Sequence, residues 1–135
     1  MGSLIAYIDA VERLPFKWGS HDCLTFSNEA VRIQRGRGWA DEWLHDYSNP
    51  KAALLKYRRE QLKRGDYQTI IDVADDRLCR HETLHPSFGS VVARPATGPL
   101  GWVFGVVGRG AGFFVGDDGL EVLDLRHDDL FWSAT

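Results

Sequence analysis

Two cysteines, Cys23 and Cys79, are all that 135 residues contain, too few for the disulfide framework of a small secreted domain. The start of the chain lacks a basic segment followed by an apolar one, so no signal peptide is expected and synthesis in the cytoplasm is. Met1-Gly2 is followed by Ala6, where a myristoylation signal needs Ser or Thr. Long apolar runs are missing too, and the most apolar, Trp102–Val107, is too short to cross a bilayer as a helix. Nor is there an excess of positive charge. The net charge is -3 and the pI about 5.9, which excludes the electrostatic footprint of a nucleic-acid binder. Internal repeats, low-complexity segments and long linkers are absent, and the length suits a single domain, residues 1–135, around one modest core.

The charges that are present are segregated. Lys51, Lys56, Arg58, Arg59, Lys63 and Arg64 gather in one helix-like segment, and Asp117, Asp118, Glu121, Asp124, Asp128 and Asp129 gather near the C-terminus. They read as solvated faces or as complementary patches for head-to-tail packing of subunits.

The first half reads as helical. Leu4, Tyr7, Ile8 and Val11 recur at helical spacing, and Pro15 drives Leu14 out of the α region. A second helix is predicted from about Asp22 to Arg35, capped by Ser20, His21 or Asp22 and ended by Gly36 and Gly38. Trp39 and Trp43 fall in a loop or short turn. Asn49-Pro50 predicts the start of a basic helix running through Leu55 and Leu62 to Gly65, and Tyr67, Ile70, Ile71, Ala74 and Leu78 mark the stripe of a fourth. After Pro86 the pattern changes to short strand-like runs, Ser90 to Arg94, Trp102 to Val107, Gly112 to Val115 and Leu120 to Leu125. Asp118-Gly119 predicts a type I′ hairpin turn. Helices first and strands afterwards imply an α+β domain with a small antiparallel sheet.

The stretch Phe16-Lys17-Trp18-Gly19-Ser20-His21-Asp22-Cys23 places a cysteine behind a glycine turn at a helix start. Free N–H groups and the helix dipole at such a position favour a thiolate, so Cys23 is a candidate nucleophile with a lowered pKa. A buried structural cysteine is the alternative. Catalysis would also need an imidazole to take the thiol proton and return it to the leaving amine. His21, two residues before Cys23, is the candidate base, and its alternative role is that of a turn or capping residue. Asp22 is assigned support of the helix N-terminus. His45 and His127 read as exposed loop residues.

His81-Glu82-Thr83-Leu84-His85 matches the H-E-x-x-H pattern. On a helix, His81 and His85 would share one face and hold Zn²⁺, Glu82 would take a proton from the bound water, and Cys79 would be a further ligand. Pro86 stops such a helix directly after His85 and no third downstream ligand is identifiable, so a helix-end histidine pair beside the C-terminal dipole is the competing expectation. The five tryptophans read mostly as core, with surplus for interface anchors.

The order of a cysteine helix followed by a small antiparallel sheet resembles the NlpC-type papain-like cysteine peptidases, which cleave peptide links in bacterial cell walls. The Trp18-Gly19-x-x-Asp22-Cys23 element with Phe26 and Val31 is similar to the opening of an uncharacterised family of phage and prophage proteins related to that fold. Gly89-Ser90-Val91-Val92, Phe104-Gly105-Val106-Val107-Gly108, Phe113-Phe114, Gly116-Asp117-Asp118-Gly119-Leu120 and Trp132 follow in the order of that family. The resemblance implies a tail-tip or baseplate role in the virion tail, with other tail proteins and bacterial peptidoglycan as partners and no resident cofactor. It also places the catalytic histidine at Val103, the orienting residue within Gly112–Val115, and an acidic residue at Ser90. All three positions lack the expected side chain, so a degenerate hydrolase site serving protein docking is expected. An active cysteine peptidase or amidase using Cys23 is the alternative, and a zinc hydrolase built on His81, Glu82 and His85 the third.

Overall fold

Helix α1, Gly2–Val11, forms because Leu4, Ile8 and Val11 fall on one stripe that is buried. The computed structural model describes residues 2–41, 69–97 and 100–134, together with Asn49, Ala52 and Arg59. Helix α2, Cys23–Arg35, carries two apolar faces. Phe26 and Ala30 pack with Leu4, Ile8 and Val11 of α1, whereas Leu24 and Val31 enter the main core. Gly36 stops it in the left-handed conformation, at φ 88°, while its N–H donates to the Arg32 carbonyl. Helix α3, Ile70–Arg77, starts with a capping box formed by Thr69 and Asp72.

Six strands then form one sheet: β1 Cys79–His81, β2 Val91–Pro95, β3 Trp102–Val107, β4 Ala111–Gly116, β5 Gly119–Asp124 and β6 Leu130–Ser133, in the order β1-β6-β2-β3-β4-β5. Every pairing is antiparallel. The fold class is therefore α+β, as expected. Two strands escape the sequence pattern. β1 and β6 are short, and β6 enters between β1 and β2, so the last strand of the chain fills an interior position of the sheet.

The hairpin expectation needs correction. Gly116 pairs with Gly119, so the two turn residues are Asp117 and Asp118, one position earlier than Asp118-Gly119. The predicted basic helix lies outside the described residues apart from its start, where the Ala52 N–H donates to Asn49 Oδ1 at 2.8 Å. Trp43, His45 and Tyr67 also lie outside them.

The helix-side core centres on Trp39, Phe104 and Trp132, all fully buried. Phe104 lies between the two indoles, at centroid distances of 5.2 and 6.0 Å. Each indole N–H is satisfied, by Ser27 Oγ and Asp75 Oδ1 respectively. These two tryptophans are structural and unavailable as interface anchors.

On the opposite face Phe114 lies in a notch left by two glycines. A Cβ at Gly105 or Gly112 would come within 2.7 Å of its ring. The Arg94 guanidinium sits 4.5 Å over that ring. Arg94 Nε and Nη2 donate to Asp129 at 3.0 and 2.7 Å, and Nη2 also donates to the Asp124 carbonyl. This buried clasp ties the β5–β6 crossover to the sheet. Removing one partner strands a buried charge, so Asp129→Ala should cost about 3–5 kcal/mol. Replacing both, as in Arg94→Met with Asp129→Leu, should cost less than that single change, and urea denaturation of the three proteins checks the order.

Candidate functional site

The segment before α2 is wound by backbone bonds that leave little freedom. Lys17 N–H donates to the His21 carbonyl and His21 N–H to the Lys17 carbonyl, at 2.9 and 2.8 Å. Gly19 completes the turn at φ 77°. Its N–H donates to Asp22 Oδ2 at 2.9 Å. Asp22 is the N-cap: Oδ1 accepts from the N–H groups of Leu24 and Thr25 at 3.0 and 2.9 Å. Thr25 Oγ1 accepts the Asp22 N–H in return at 2.7 Å, which closes a capping box.

His21 precedes the cap and Phe26 stands in the fourth helical position, with ring centroids 6.0 Å apart in an edge-to-face arrangement. That is the geometry of a hydrophobic staple. The ring is buried and Nε2 has no hydrogen-bond partner. Burial holds the His21 pKa below its ordinary 6.5 against the opposing pull of Asp22. His21 is thus committed to the cap by packing on Phe26, in the α1-side cluster that contains Phe26.

Cys23, the first residue of α2, faces a different environment. It packs against the main core, as do Trp18, Leu100 and Trp102. The residue as a whole is half-buried, but desolvation of the thiol is the main influence on it. Backbone groups of Phe104, Cys23 and Leu24 oppose that influence, Asp22 reinforces it, and the pKa is pushed up to about 12. The expected lowered pKa is therefore overturned. The helix-start position is real, but burial and the adjacent Asp22 charge outweigh it. Among the described residues no histidine figures in the influences on the Cys23 thiol, and the thiol does not figure in those on His21.

Strand β3 packs on α2 and carries Val103, the position at which the resemblance implies a catalytic histidine. Val103 belongs to the cluster on the far face of the sheet. Its neighbours Trp102 and Phe104 are the side chains of β3 that join the α2-side core, and neither can accept a proton. On β4, Phe113 and Val115 pack with the α1 cluster. Ser90 is buried just ahead of β2.

The H-E-x-x-H stretch is not helical. α3 ends at Arg77, and Cys79–His81 is strand β1, paired with Phe131–Ser133. Residues 82–88 run without helix, and the His85 N–H donates to Thr83 Oγ1 at 3.0 Å. His81 and His85 therefore do not share a helix face, and neither is a helix-end residue near the C-terminal dipole. Both are exposed, as are Glu82, Cys79 and His127. Among the described residues no group of three or more His, Cys, Asp or Glu side chains is placed to hold a metal ion.

The cap makes two predictions. Asp22→Ala should lower stability by about 1–2 kcal/mol, with Asp22→Asn costing less, as measured by urea denaturation. His21 binds its proton more weakly folded than unfolded, so the neutral ring's contribution is full above pH about 6.5 and is lost as pH falls below it. His21→Phe keeps the staple and cannot titrate. Its thermal midpoint should rise relative to the parent protein as pH is lowered from 7.5 to 5.5, ~2 pH units spanning the free-histidine value.

No curated protein and no solved structure matches this chain. A family model described as a domain of unknown function matches residues 2–134, nearly the full length that the cap, the cysteine helix and the sheet occupy, and the chain therefore belongs to the DUF6950 family.

Proposed function

We propose that this chain is a docking subunit with an NlpC-type papain-like fold whose hydrolase site has degenerated, and that it serves in the tail tip or baseplate of a phage or prophage. One observation carries the loss of catalysis. The only cysteine at a helix start among the described residues has its pKa pushed up to about 12 by burial, and the β3 side chains that join its core are the aromatic Trp102 and Phe104. Such a thiol stays protonated at pH 8.

The papain-like assignment is supported by the cysteine at the head of α2, by the packing of that helix against β3 and by the helix-before-strand order. The tail role rests on the motif resemblance running from Trp18-Gly19 to Trp132. Its partners are neighbouring tail or baseplate proteins, with peptidoglycan a second candidate, and the protein is made in the host cytoplasm before it joins the tail. No helix among the described residues is long and apolar enough to cross a membrane.

Iodoacetamide at pH 8 should label exposed Cys79 and leave Cys23 unmodified until the protein unfolds, as read by peptide mapping. Purified protein should leave cell-wall peptides intact, and Cys23→Ala should still be incorporated into tail particles. Rapid labelling of Cys23 with a midpoint below about 8.5, or peptide cleavage abolished by Cys23→Ala, would restore the active peptidase. Cleavage abolished by a chelator would instead restore the zinc hydrolase.

A further inference from the structure

Strand β5 is an edge of the sheet, and only its first part is covered. The Leu120 N–H points away from β4 and donates to the Glu12 carbonyl at 2.8 Å. Alternation along the strand aims the Val122 and Asp124 N–H groups the same way. Past Glu12 the edge has no strand partner among the described residues. Val122 is 63 % exposed and Leu123 36 %, an unusual surface for a free edge.

A groove lies beside this edge on the helix side. Its volume is about 350 Å³, and Ile5, Ile8, Phe88, Ala111, Phe113 and Val122 supply its apolar lining. Ile5 is 40 % exposed on the α1 wall. A strand added along β5 would thus gain main-chain bonds from the edge, and its alternate side chains would enter the groove.

Charge selects the occupant. Glu121 and Asp124 lie on the strand and Asp117 and Asp118 at its turn, whereas the groove wall carries one charge of each sign, Asp9 and Arg109, so the negative excess sits on the strand and its turn. None of them has an ion pair among the described residues. Two copies of β5 paired antiparallel about Val122 would set Glu121 diagonal to its own copy and Asp124 diagonal to Asp118. Self-pairing is therefore disfavoured, whereas Lys and Arg side chains would be attracted.

We propose that the β5 edge and its groove bind an extended, basic segment of a partner protein, with alternating apolar residues, as an added strand. This deepens the docking reading and rests on it.

The probe is a fluorescein-labelled peptide of about nine residues alternating lysine and valine, with an otherwise identical glutamate peptide as control. Polarisation should show saturable binding of the lysine peptide, with the glutamate peptide at least about tenfold weaker. Bound peptide should slow hydrogen exchange at the Val122 and Asp124 amides by about tenfold or more. Val122→Pro removes only an outward N–H, which an edge strand tolerates. That variant and Val122→Lys should each weaken binding about tenfold or more while the thermal midpoint stays close to that of the parent, and Glu121→Lys with Asp124→Lys should abolish the preference for lysine.

Equal binding of both peptides, binding insensitive to all three variants, or no binding at about 1 mM would overturn the proposal. So would a dimer in sedimentation whose Val122 and Asp124 amides are already protected, since a second copy would then hold the edge. If the edge fails while Cys23 stays inert to alkylation, docking uses another surface. A reactive Cys23 instead removes the docking reading itself.

Discussion

The buried Asp22 carboxylate is the constraint on which the front of the molecule depends. It accepts the N–H groups of Gly19, Leu24 and Thr25, so one side chain fixes both the turn and the first turn of α2. That helix supplies Phe26 and Ala30 to one cluster and Leu24 and Val31 to the other. Any rotation of α2 would disturb both. The same charge also raises the Cys23 pKa, so the group that makes the helix start well formed makes the thiol a poorer nucleophile. In this chain stability and thiolate chemistry oppose each other at adjacent residues.

The glycines of the C-terminal half have a comparable structural cause. Gly105 and Gly112 leave the notch for Phe114, and the ring of Phe114 is the platform under Arg94. Arg94 holds Asp129 and the Asp124 carbonyl, which directs the chain from the far edge back to β2, where β6 pairs. Asp129 also accepts the Arg126 N–H at 2.8 Å, which shapes the crossover itself. A glycine-aromatic pattern that invites reading as a signature is here a packing solution, and the acidic residue near the C-terminus that matters most for the fold is the buried one.

The helices were legible because their stripes and caps are local. Leu4, Ile8 and Val11, the Asp22 cap and the Gly36 stop need no distant partner to be recognised. β1 and β6 were not, because at three and four residues they are strands only by virtue of each other and of β2. For the same reason the local pattern at His81 suggests a helix, whereas pairing with Phe131 decides its conformation. At the candidate site the positions were legible and the chemistry was not. A helix N-terminus contributes about 0.3–1 kcal/mol in favour of an anion, whereas full burial raises a thiol pKa by an amount equivalent to several kcal/mol. The core that Cys23 packs against is assembled from Leu24, Trp39, Ile70, Phe104 and Trp132 among others, scattered along the sequence, and so its burial could not be read from the motif.

The placement of Val103 sharpens this point. The side-chain alternation of β3 sends Val103 to the far face and Trp102 and Phe104 toward α2, so a histidine at position 103 would not face the thiol. A base among the β3 side chains that join the core of Cys23 would have to replace Trp102 or Phe104. Phe104 is the central ring of the Trp39-Phe104-Trp132 core, and exchanging it for a smaller, polar ring would remove aromatic contact and bury an unsatisfied nitrogen. Trp102 is only half-buried and is the less costly site. The aromatic core thus occupies the face of β3 that joins the core of Cys23, so the raised pKa of the thiol is a consequence of packing, and under the proposed docking role recognition falls to surfaces such as the β5 edge.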